Sequence, residues 1–280
     1  TEEEVYERLG YSYIEPELRE GSGELRAARA GELPELVSER DVRGDLHSHT
    51  TLSDGRASLE EMADAARERG YSYLAITDHS ASHGFGDHVT SERLWERIEE
   101  VRILDSKLPR FHLLAGSEIN IGLDGSLDYP DELVEALDWV IASVHTSFSD
   151  DEKKMTGRVL EAIENPLVDC IGHLTGRLIG RREPYPIDVE AVAEAAARTG
   201  TMLEINGNPN RRDLSDRHAR LAAQAGATIV LNTDAHRVRT LGNMTYAVAT
   251  ARRAWLTKDQ VANTRAWRDL KKLRPRRGGS

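Results

Sequence analysis

The chain has 280 residues, of which 39% are hydrophobic and 30% are charged, an ordinary composition for a globular protein with one large α/β domain or two small ones. A formal net charge of −11 weighs against a basic nucleic-acid-binding protein, but bound cations would cancel part of it and arginines cluster at 176–184, 208–213 and 274–280. The single cysteine, Cys170, excludes an internal disulfide. The sequence shows no recognisable signal peptide and no apolar run of about 18 residues. Together these features favour a reducing, cytoplasmic location.

The first 42 residues differ from those that follow. They are charged, contain two prolines and a Gly-Ser-Gly, and have only short apolar groupings. This pattern predicts a short helix and an irregular connector, as expected of the tail of a domain that is missing here. Because the first residue is Thr1 and not Met, we expect the sequence to be a fragment of a longer protein.

From residue 43 onward, apolar segments rich in β-formers alternate with helical segments. One helical stretch, SLEEMADAARERG, has Ser58 and Glu61 in a capping-box pattern and Gly70 as a C-cap candidate. Seven strands are predicted, at 43–48, 72–77, 111–119, 139–144, 167–171, 202–206 and 227–232. Seven strands alternating with helices predict an α/β fold, either a parallel barrel or a doubly wound sheet.

Polar residues gather where the predicted strands end. In parallel α/β folds these carboxyl ends lie together and carry the functional groups. Six of the ten histidines and three carboxylates fall at these ends or in the loops that follow: His47, His49, Asp54, His79, Glu118, His145, His173, Asp234 and His236. A single histidine there is more often structural, but a ring of imidazoles and carboxylates in apolar surroundings predicts metal binding.

The spacing and the donor types refine this prediction. In a strand, residues i and i+2 face the same side, so His47 and His49 can reach one ion together. Mixed nitrogen and oxygen donors suit Zn²⁺, Mn²⁺ or iron. Nine ligands exceed the needs of one ion, so two or three ions are implied.

The motifs DLHSHTTLSDG, LAITDHS, GSEIN, SVHTS, IGHLTGR and LNTDAH occur in this order. They resemble the PHP (polymerase and histidinol phosphatase) superfamily, and the flanking stretches resemble the C-terminal PHP domain of bacterial family X DNA polymerases. The resemblance implies a distorted (β/α)7 barrel, similar to a TIM barrel, with its metal site at the C-terminal ends of the strands. We therefore expect a connector at 1–42, a PHP domain at 43–270 and a basic tail at 271–280, which is expected to be disordered over 274–280.

The resemblance also assigns the nine residues to three divalent ions, usually Mn²⁺, with Zn²⁺ or Fe²⁺ as alternatives. It groups them as His47, His49, Glu118 and Asp234 for the first ion, Glu118, His145 and His173 for the second, and Asp54, His79 and His236 for the third. Every family position is filled, unlike in PHP domains that have lost ligands and serve structure alone.

The activity that the resemblance implies is a metal-dependent phosphoesterase acting in DNA repair. It would be a 3′→5′ exonuclease, with 3′-phosphatase and abasic-site activities as further expectations. No polymerase palm precedes residue 43, so the chain alone is not expected to polymerise DNA, and a polymerase domain in the parent protein is an expected partner.

Substrate contacts are expected from arginines near the mouth of the barrel, first Arg177 and Arg181 and then Arg212, although for each of them a surface charge is an equally good interpretation. Asn206 is expected to contact substrate or to support a ligand. The orientation of Glu204 stays open. Asp78 is expected either to orient His79 or to cap a helix.

Two other functions remain open. A small-molecule phosphatase of the histidinol-phosphatase type would use the same ligands, so the ligand set does not separate it from a nuclease. A non-catalytic scaffold domain is the third interpretation, and the complete ligand set weighs against it. Two loop histidines, His83 and His88, suggest either a lid or a solvated loop.

Overall fold

Seven parallel strands form the centre of the computed structural model, which describes residues 1–82 and 89–275. They pair in sequence order, each with the next. The strands are β1 (Gly44–Asp45), β2 (Tyr73–Ile76), β3 (His112–Asn120), β4 (Trp139–Ser143), β5 (Cys170–Ile171), β6 (Met202–Asn206) and β7 (Ile229–Asn232).

Six helices connect successive strands on the outside of the sheet: α3 (Leu59–Glu68), α4 (Ser91–Asp105), α5 (Asp131–Glu135), α6 (Glu152–Glu164), α7 (Val189–Thr199) and α8 (Asp216–Gln224). Within the described ranges, α1 (Glu2–Arg8) and α2 (Glu24–Ala30) precede β1, and α9 (Met244–Arg253) and α10 (Trp267–Leu270) follow β7. The capping box expected at α3 is present, with Ser58 accepting from the Glu61 amide. None of these helices combines the length and the apolarity needed to cross a bilayer.

The sheet closes into a barrel because the chain after β1 meets the chain after β7. The His49 amide donates to the Ala235 carbonyl over 2.8 Å, and the Ala235 amide donates to the His47 carbonyl over 3.3 Å. The fold prediction of a TIM-like α/β barrel is therefore confirmed, and the doubly wound alternative is wrong. The first strand is shorter than the predicted 43–48, because beyond Asp45 only an isolated bridge at Ser48 continues the pairing.

Below this contact, an asparagine from the C-terminal segment fills the seam between β1 and β7. The side-chain amide of Asn263 donates to the carbonyls of Gly44 and Leu231, over 2.8 and 2.6 Å, and its oxygen accepts from the Leu231 amide over 3.1 Å. One buried side chain thus replaces the ladder bonds that two adjacent strands would make directly.

The lower half of the barrel interior is apolar. Leu46, Tyr73, Trp139, Met202 and Val230 pack there, and the C-terminal segment covers this core from below with Ala262, Trp267 and Leu270. Polar groups of the interior therefore gather in the upper half. Two further apolar clusters lie between the sheet and its surrounding helices.

Part of the predicted disordered tail is ordered, which corrects that expectation. Arg274 makes a two-bond ion pair with Asp169, with distances of 2.7 and 2.8 Å, and the carboxylate of Asp169 is fully buried. This pairing anchors the C-terminal segment, because a buried charge needs a partner. Residues 276–280 of the predicted tail lie outside the described residues, as do His83 and His88.

The N-terminal connector also packs on the barrel. Ile14, Leu18 and Ala28 form a small apolar cluster that Trp255, just beyond α9, also contacts. Arg252 of α9 pairs with Glu15 and Glu17 of the connector, at 3.2 and 2.7 Å. The predicted domain boundaries themselves stay a proposal.

We predict that Asn263→Ala lowers the free energy of unfolding by about 3 kcal/mol, because it leaves buried amide and carbonyl groups at the barrel seam without partners. Urea unfolding followed by circular dichroism measures the change. Asn210→Ala, at an exposed loop position, is the matched control and should change stability by less than about 0.5 kcal/mol. Equal effects of the two substitutions would contradict a sealing role for Asn263.

Candidate metal centre

The structure brings all nine predicted ligands together in the upper half of the barrel. His47 and His49 follow β1, His79 follows β2 and Glu118 lies in β3, while Asp54 comes from the loop before α3. The remaining four stand just beyond later strands, at His145, His173, Asp234 and His236. Because the parallel strands all end at the same end of the barrel, ligands that lie far apart in sequence become neighbours.

Glu118 lies at the centre of this cluster, fully buried. Its Oε2 faces the nitrogens of three histidines: His79 at 3.1 Å, His47 at 3.2 Å and His49 at 3.5 Å. Its Oε1 faces His173 at 2.8 Å and His145 at 3.3 Å. Each oxygen thus belongs to a different set of imidazoles, which is the arrangement of a carboxylate that bridges two ions.

His49 links two other parts of the cluster. Its Nε2 lies 3.1 Å from Asp234 Oδ1, and its Nδ1 lies 3.9 Å from Asp54 Oδ1. Asp54 in turn contacts His236 over 3.0 Å and lies 3.6 Å from His79. The geometry therefore places His49 with the group of Asp54, His79 and His236 as well as with His47, Glu118 and Asp234.

The donor atoms of the cluster fit divalent cations. Within the described residues, His47 Nε2, both His49 nitrogens and both Glu118 oxygens are buried and have no hydrogen-bond partner. The Nε2 atoms of His47 and His49 lie only 3.2 and 3.5 Å from Glu118 Oε2, yet neither pair has the alignment of a hydrogen bond. Buried polar groups without partners are costly, and nitrogen and oxygen donors facing one point satisfy a metal ion.

The carboxylates and the histidines shift each other's protonation. Burial opposes charge at His47, but the carboxylates of Glu204, Glu118 and Asp234 raise its pKa well above the usual value. Burial likewise opposes charge at Glu118, whose pKa the surrounding histidines nevertheless hold well below its usual value. At His236, burial again disfavours the charge, but the hydrogen bond to Asp54 and the nearby Asp234 raise its pKa to about 9. In the metal-free protein these pairs stabilise one another as ions.

Asp78 has a role that differs from both expectations. Its carboxylate accepts from the amide and the hydroxyl of Thr50, each over 2.7 Å, and from the Ser53 hydroxyl over 2.8 Å. These bonds fix the loop that carries Asp54. Asp78 therefore positions a neighbouring candidate ligand, neither capping a helix nor orienting His79.

Two of the predicted substrate contacts are engaged elsewhere. Arg177 donates to the backbone carbonyls of Arg211, over 2.7 Å, and Arg212, so it braces that loop. Asn206 is fully buried, and its amide donates to Glu204 over 3.1 Å and to Asp234 over 3.2 Å. Asn206 therefore supports the candidate ligand Asp234, which is one of its two expected roles, and a substrate contact of Arg177 stays a prediction.

The other two predicted arginines lie outside the ligand cluster. Arg181 is exposed, and the Arg212 guanidinium lies 5.8 Å from the ring centre of Tyr246.

The arginine that does reach the cluster is Arg211, which sequence reasoning missed. Its Nε lies 3.5 Å from Asp234 Oδ2, and its Nη1 is buried with no hydrogen-bond partner among the described residues. No sequence signal separates Arg211 from its neighbour Arg212, because the loop conformation decides which of the two turns inward. Glu204 was also left unassigned, although the period-two pattern of β6 places it on the same face as Asn206.

A cleft of about 560 Å³ opens beside Asp234 and His236. The loops after β6 and β7 line it with the polar and cationic residues Asn208, Asn210, Arg237, Arg239, Thr240 and Asn243. In the candidate cluster, His236 and Asp54 have the side chains that solvent reaches, with 31% and 24% exposed. The cleft therefore leads to the accessible side of the site.

Comparison with known proteins supports this picture. The sequence model of the PHP domain matches residues 45–208. The chain is 41% identical over 270 residues to the DNA polymerase/3′-5′ exonuclease PolX of Bacillus subtilis. The alignment covers 96% of this chain but only 47% of that protein. It is 34% identical to a probable phosphatase of Thermoanaerobacter sp., covering 79% of this chain and 89% of that protein.

Among solved structures, a histidinol phosphate phosphatase from Lactococcus lactis, complexed with zinc, L-histidinol and phosphate, superposes with a TM-score of 0.54. The identity is 17%, and the match covers 75% of this chain and 93% of that one. At this identity the likeness concerns the fold alone. The chain spans about half the length of the Bacillus relative.

We predict that metal binding at pH 7 releases protons, because His236, with a pKa of about 9, and His47 are protonated in the metal-free protein and imidazole must be neutral to bind a metal. Apparent metal affinity should therefore rise with pH up to about 9. Calorimetric titration in buffers of different ionisation enthalpy counts the protons.

His236→Gln should reduce the number of protons released, and His112→Gln, at an exposed histidine, should leave it unchanged. A heat of metal binding that is the same in all buffers would contradict this prediction.

Proposed function

This chain belongs to the PHP domain family and is a metal-dependent phosphoesterase, and we propose that it hydrolyses DNA from the 3′ end as a 3′→5′ exonuclease. Removal of 3′-phosphates and action at abasic sites belong to the same proposal, as does a role in DNA repair. The observation that carries the proposal is the 41% identity to the Bacillus polymerase/exonuclease across 96% of this chain. A match of 96% necessarily includes most of the N-terminal connector, whereas the match to the probable phosphatase covers 79% of the chain.

We propose three divalent ions, preferentially Mn²⁺, held by the nine clustered residues. The grouping implied by the family resemblance agrees with the position of Glu118 between two sets of imidazoles, and His49 lies where it contacts two groups. Divalent cations bound there would lower the pKa of water to near neutrality and offset negative charge on the phosphoryl group.

The protein's own residues would bind and orient the phosphoester. Arg211 presents a buried guanidinium donor beside Asp234, suited to a non-bridging phosphate oxygen. Because such a donor is already fixed and desolvated, it stabilises charge that grows on the phosphate during hydrolysis. The exposed edges of His236 and Asp54 mark the side from which the phosphate would enter.

The cleft beside His236 supports a polymer as the substrate. Arg237 and Arg239 would neutralise backbone phosphates of the strand, and the amides of Asn208, Asn210 and Asn243 would donate to phosphate or sugar oxygens. These local cations would allow DNA to approach a chain whose overall charge is −11. A polymerase domain in the parent protein would add to this grip.

The first test is the digestion of 5′-labelled single-stranded DNA in Mn²⁺ by the parent chain, by His49→Ala and by the control His112→Ala. A ladder that shortens from the 3′ end should appear with the parent and with the control, but not with His49→Ala, because His49 contacts both Asp234 and Asp54. A metal-loaded parent that yields no ladder but releases phosphate from small monoesters would replace the proposal with a small-molecule phosphatase.

A second test asks whether the cleft holds a strand. We predict that Arg237→Gln with Arg239→Gln raises the KM for an oligonucleotide about tenfold at low salt and reduces its salt dependence, by about 1.4 in the log–log slope for two lost phosphate contacts. Turnover of bis(p-nitrophenyl) phosphate should not change. The matched control is Arg26→Gln with Arg29→Gln, two exposed positions on α2.

Small-molecule phosphatase activity stays the alternative because of the 34% identity to the probable phosphatase across 89% of that protein. The substitutions of Arg237 and Arg239 could leave the oligonucleotide kinetics unchanged, or they could affect the oligonucleotide and bis(p-nitrophenyl) phosphate equally. Either result would favour this alternative and contradict the proposal that the cleft binds a DNA strand.

A further inference from the structure

A buried carboxylate on β6 stands outside the nine candidate ligands. The strand alternates along its length: Leu203 and Ile205 pack outward against the helices, while Met202 belongs to the interior core. Glu204 and Asn206 share the inward face with Met202. Glu204 is fully buried, and among the described residues it belongs to none of the groups that could hold a metal ion.

Four donors converge on Glu204 and occupy both of its oxygens. Oε1 contacts His47 Nδ1 at 2.6 Å and accepts from the side-chain amide of Asn232 over 2.9 Å. Oε2 accepts from the backbone amide of His173 over 2.8 Å and from the side-chain amide of Asn206 over 3.1 Å. With its oxygens occupied in this way, Glu204 has little capacity left to bind a cation itself.

The network fixes the tautomer of His47. The Asn232 oxygen accepts from the Leu46 amide over 3.0 Å, so its NH₂ group is the part that faces Glu204. Amide N–H groups can only donate, so Glu204 acts as an acceptor on both sides and His47 Nδ1 must carry the hydrogen. When the ring is neutral, as metal binding requires, the lone pair of His47 is therefore on Nε2, which faces Glu118 and Asp234.

Glu204 also holds the backbone of a second candidate ligand. His173 has a φ of +27°, a conformation that residues with a side chain adopt rarely. The bond from its backbone amide to Glu204 Oε2 stabilises this conformation, in which Nε2 of His173 lies 2.8 Å from Glu118 Oε1.

The same network reaches Asp234 through Asn206. The Asn206 oxygen accepts from the Asn208 amide over 3.0 Å, which directs its NH₂ group to Glu204 and to Asp234 Oδ2. Asp234 Oδ1 is then the oxygen that faces His47 and His49.

We propose that Glu204 is a positioning residue of the metal centre, which sets the tautomer and direction of His47 and the backbone conformation of His173. Through these two contacts it aligns ligands on both sides of Glu118. The inference rests on the metal centre proposed above, but not on which phosphoester is hydrolysed there. Carboxylates that accept from the far nitrogen of a metal-binding histidine orient the ring and strengthen it as a ligand.

Glu204→Gln is the sharpest test because it keeps the size of the side chain but replaces one acceptor oxygen with an NH₂ group. That group would face two donors, so either His47 or the His173 backbone loses its acceptor. We expect metal affinity to fall by about 10- to 100-fold in titrations against a competing chelator. The absorption bands of the Co²⁺-loaded protein should also shift, since they report the geometry of bound nitrogen and oxygen donors.

Asp169→Asn is the matched control, because Asp169 is also a fully buried carboxylate of the barrel that accepts a backbone N–H, but it lies at the other end of the strands. It should reduce thermal stability and leave metal affinity and the Co²⁺ spectrum unchanged. Equal metal affinity and identical Co²⁺ spectra for the parent and Glu204→Gln would overturn the inference, as would a loss of affinity in Asp169→Asn as large as in Glu204→Gln.

A measurement on the unmodified chain covers the case in which Glu204→Gln fails to fold. Nitrogen-15 NMR of the Zn²⁺-loaded parent should show His47 with its hydrogen on Nδ1 and its metal on Nε2, and the opposite arrangement would overturn the inference. None of these experiments uses DNA, so they can fail independently of the exonuclease proposal. If the parent chain does not degrade DNA but Glu204→Gln still weakens metal binding, only the exonuclease proposal is removed.

Discussion

One buried carboxylate facing five imidazoles is the constraint on which the site depends. Glu118 lies in the interior of the barrel, where an ionised group without partners would be very costly. Its partners come from the ends of four other strand–loop units, at His47, His49, His79, His145 and His173. The charge of Glu118 is therefore tolerated only when these strands have assembled around it, which ties formation of the site to formation of the fold.

The two halves of the barrel interior divide these tasks. The apolar lower half and the C-terminal segment beneath it supply packing, and the seam residue Asn263 supplies closure. The upper half holds polar groups, and several of their atoms are buried without a hydrogen-bond partner among the described residues. Cations would satisfy these atoms better than water. The division explains why almost every candidate ligand lies just past a strand and not within one: the strands end where apolar packing ends.

Ligand identity and the strand rhythm were sufficient to predict a parallel α/β fold and the convergence of the nine residues, because they are local signals that such a fold brings to one edge. The choice of a barrel over a doubly wound sheet came from the family resemblance. Sequence reasoning failed where three-dimensional contacts decide. Arg211 and Arg212 are adjacent and chemically identical, and only the loop conformation turns Arg211 toward Asp234. From sequence, Arg274 is predicted to belong to a basic tail, and only the structure shows its ion pair with Asp169. Glu204 was predictable as an inward residue from strand alternation, but its four donors come from three other positions of the barrel and one of its own strand.

Closure of the barrel by its first and last strands also has a consequence for biosynthesis. Within this chain, His47 and His49 leave the ribosome before Asp234 and His236, which follow β7, and the seam residue Asn263 is made later still. The growing chain therefore exposes a few histidines and Asp54 long before the remaining ligands exist. Metal binding with the full ligand set must therefore wait until β7 and the two ligands that follow it have been made, however early His47 and His49 emerge.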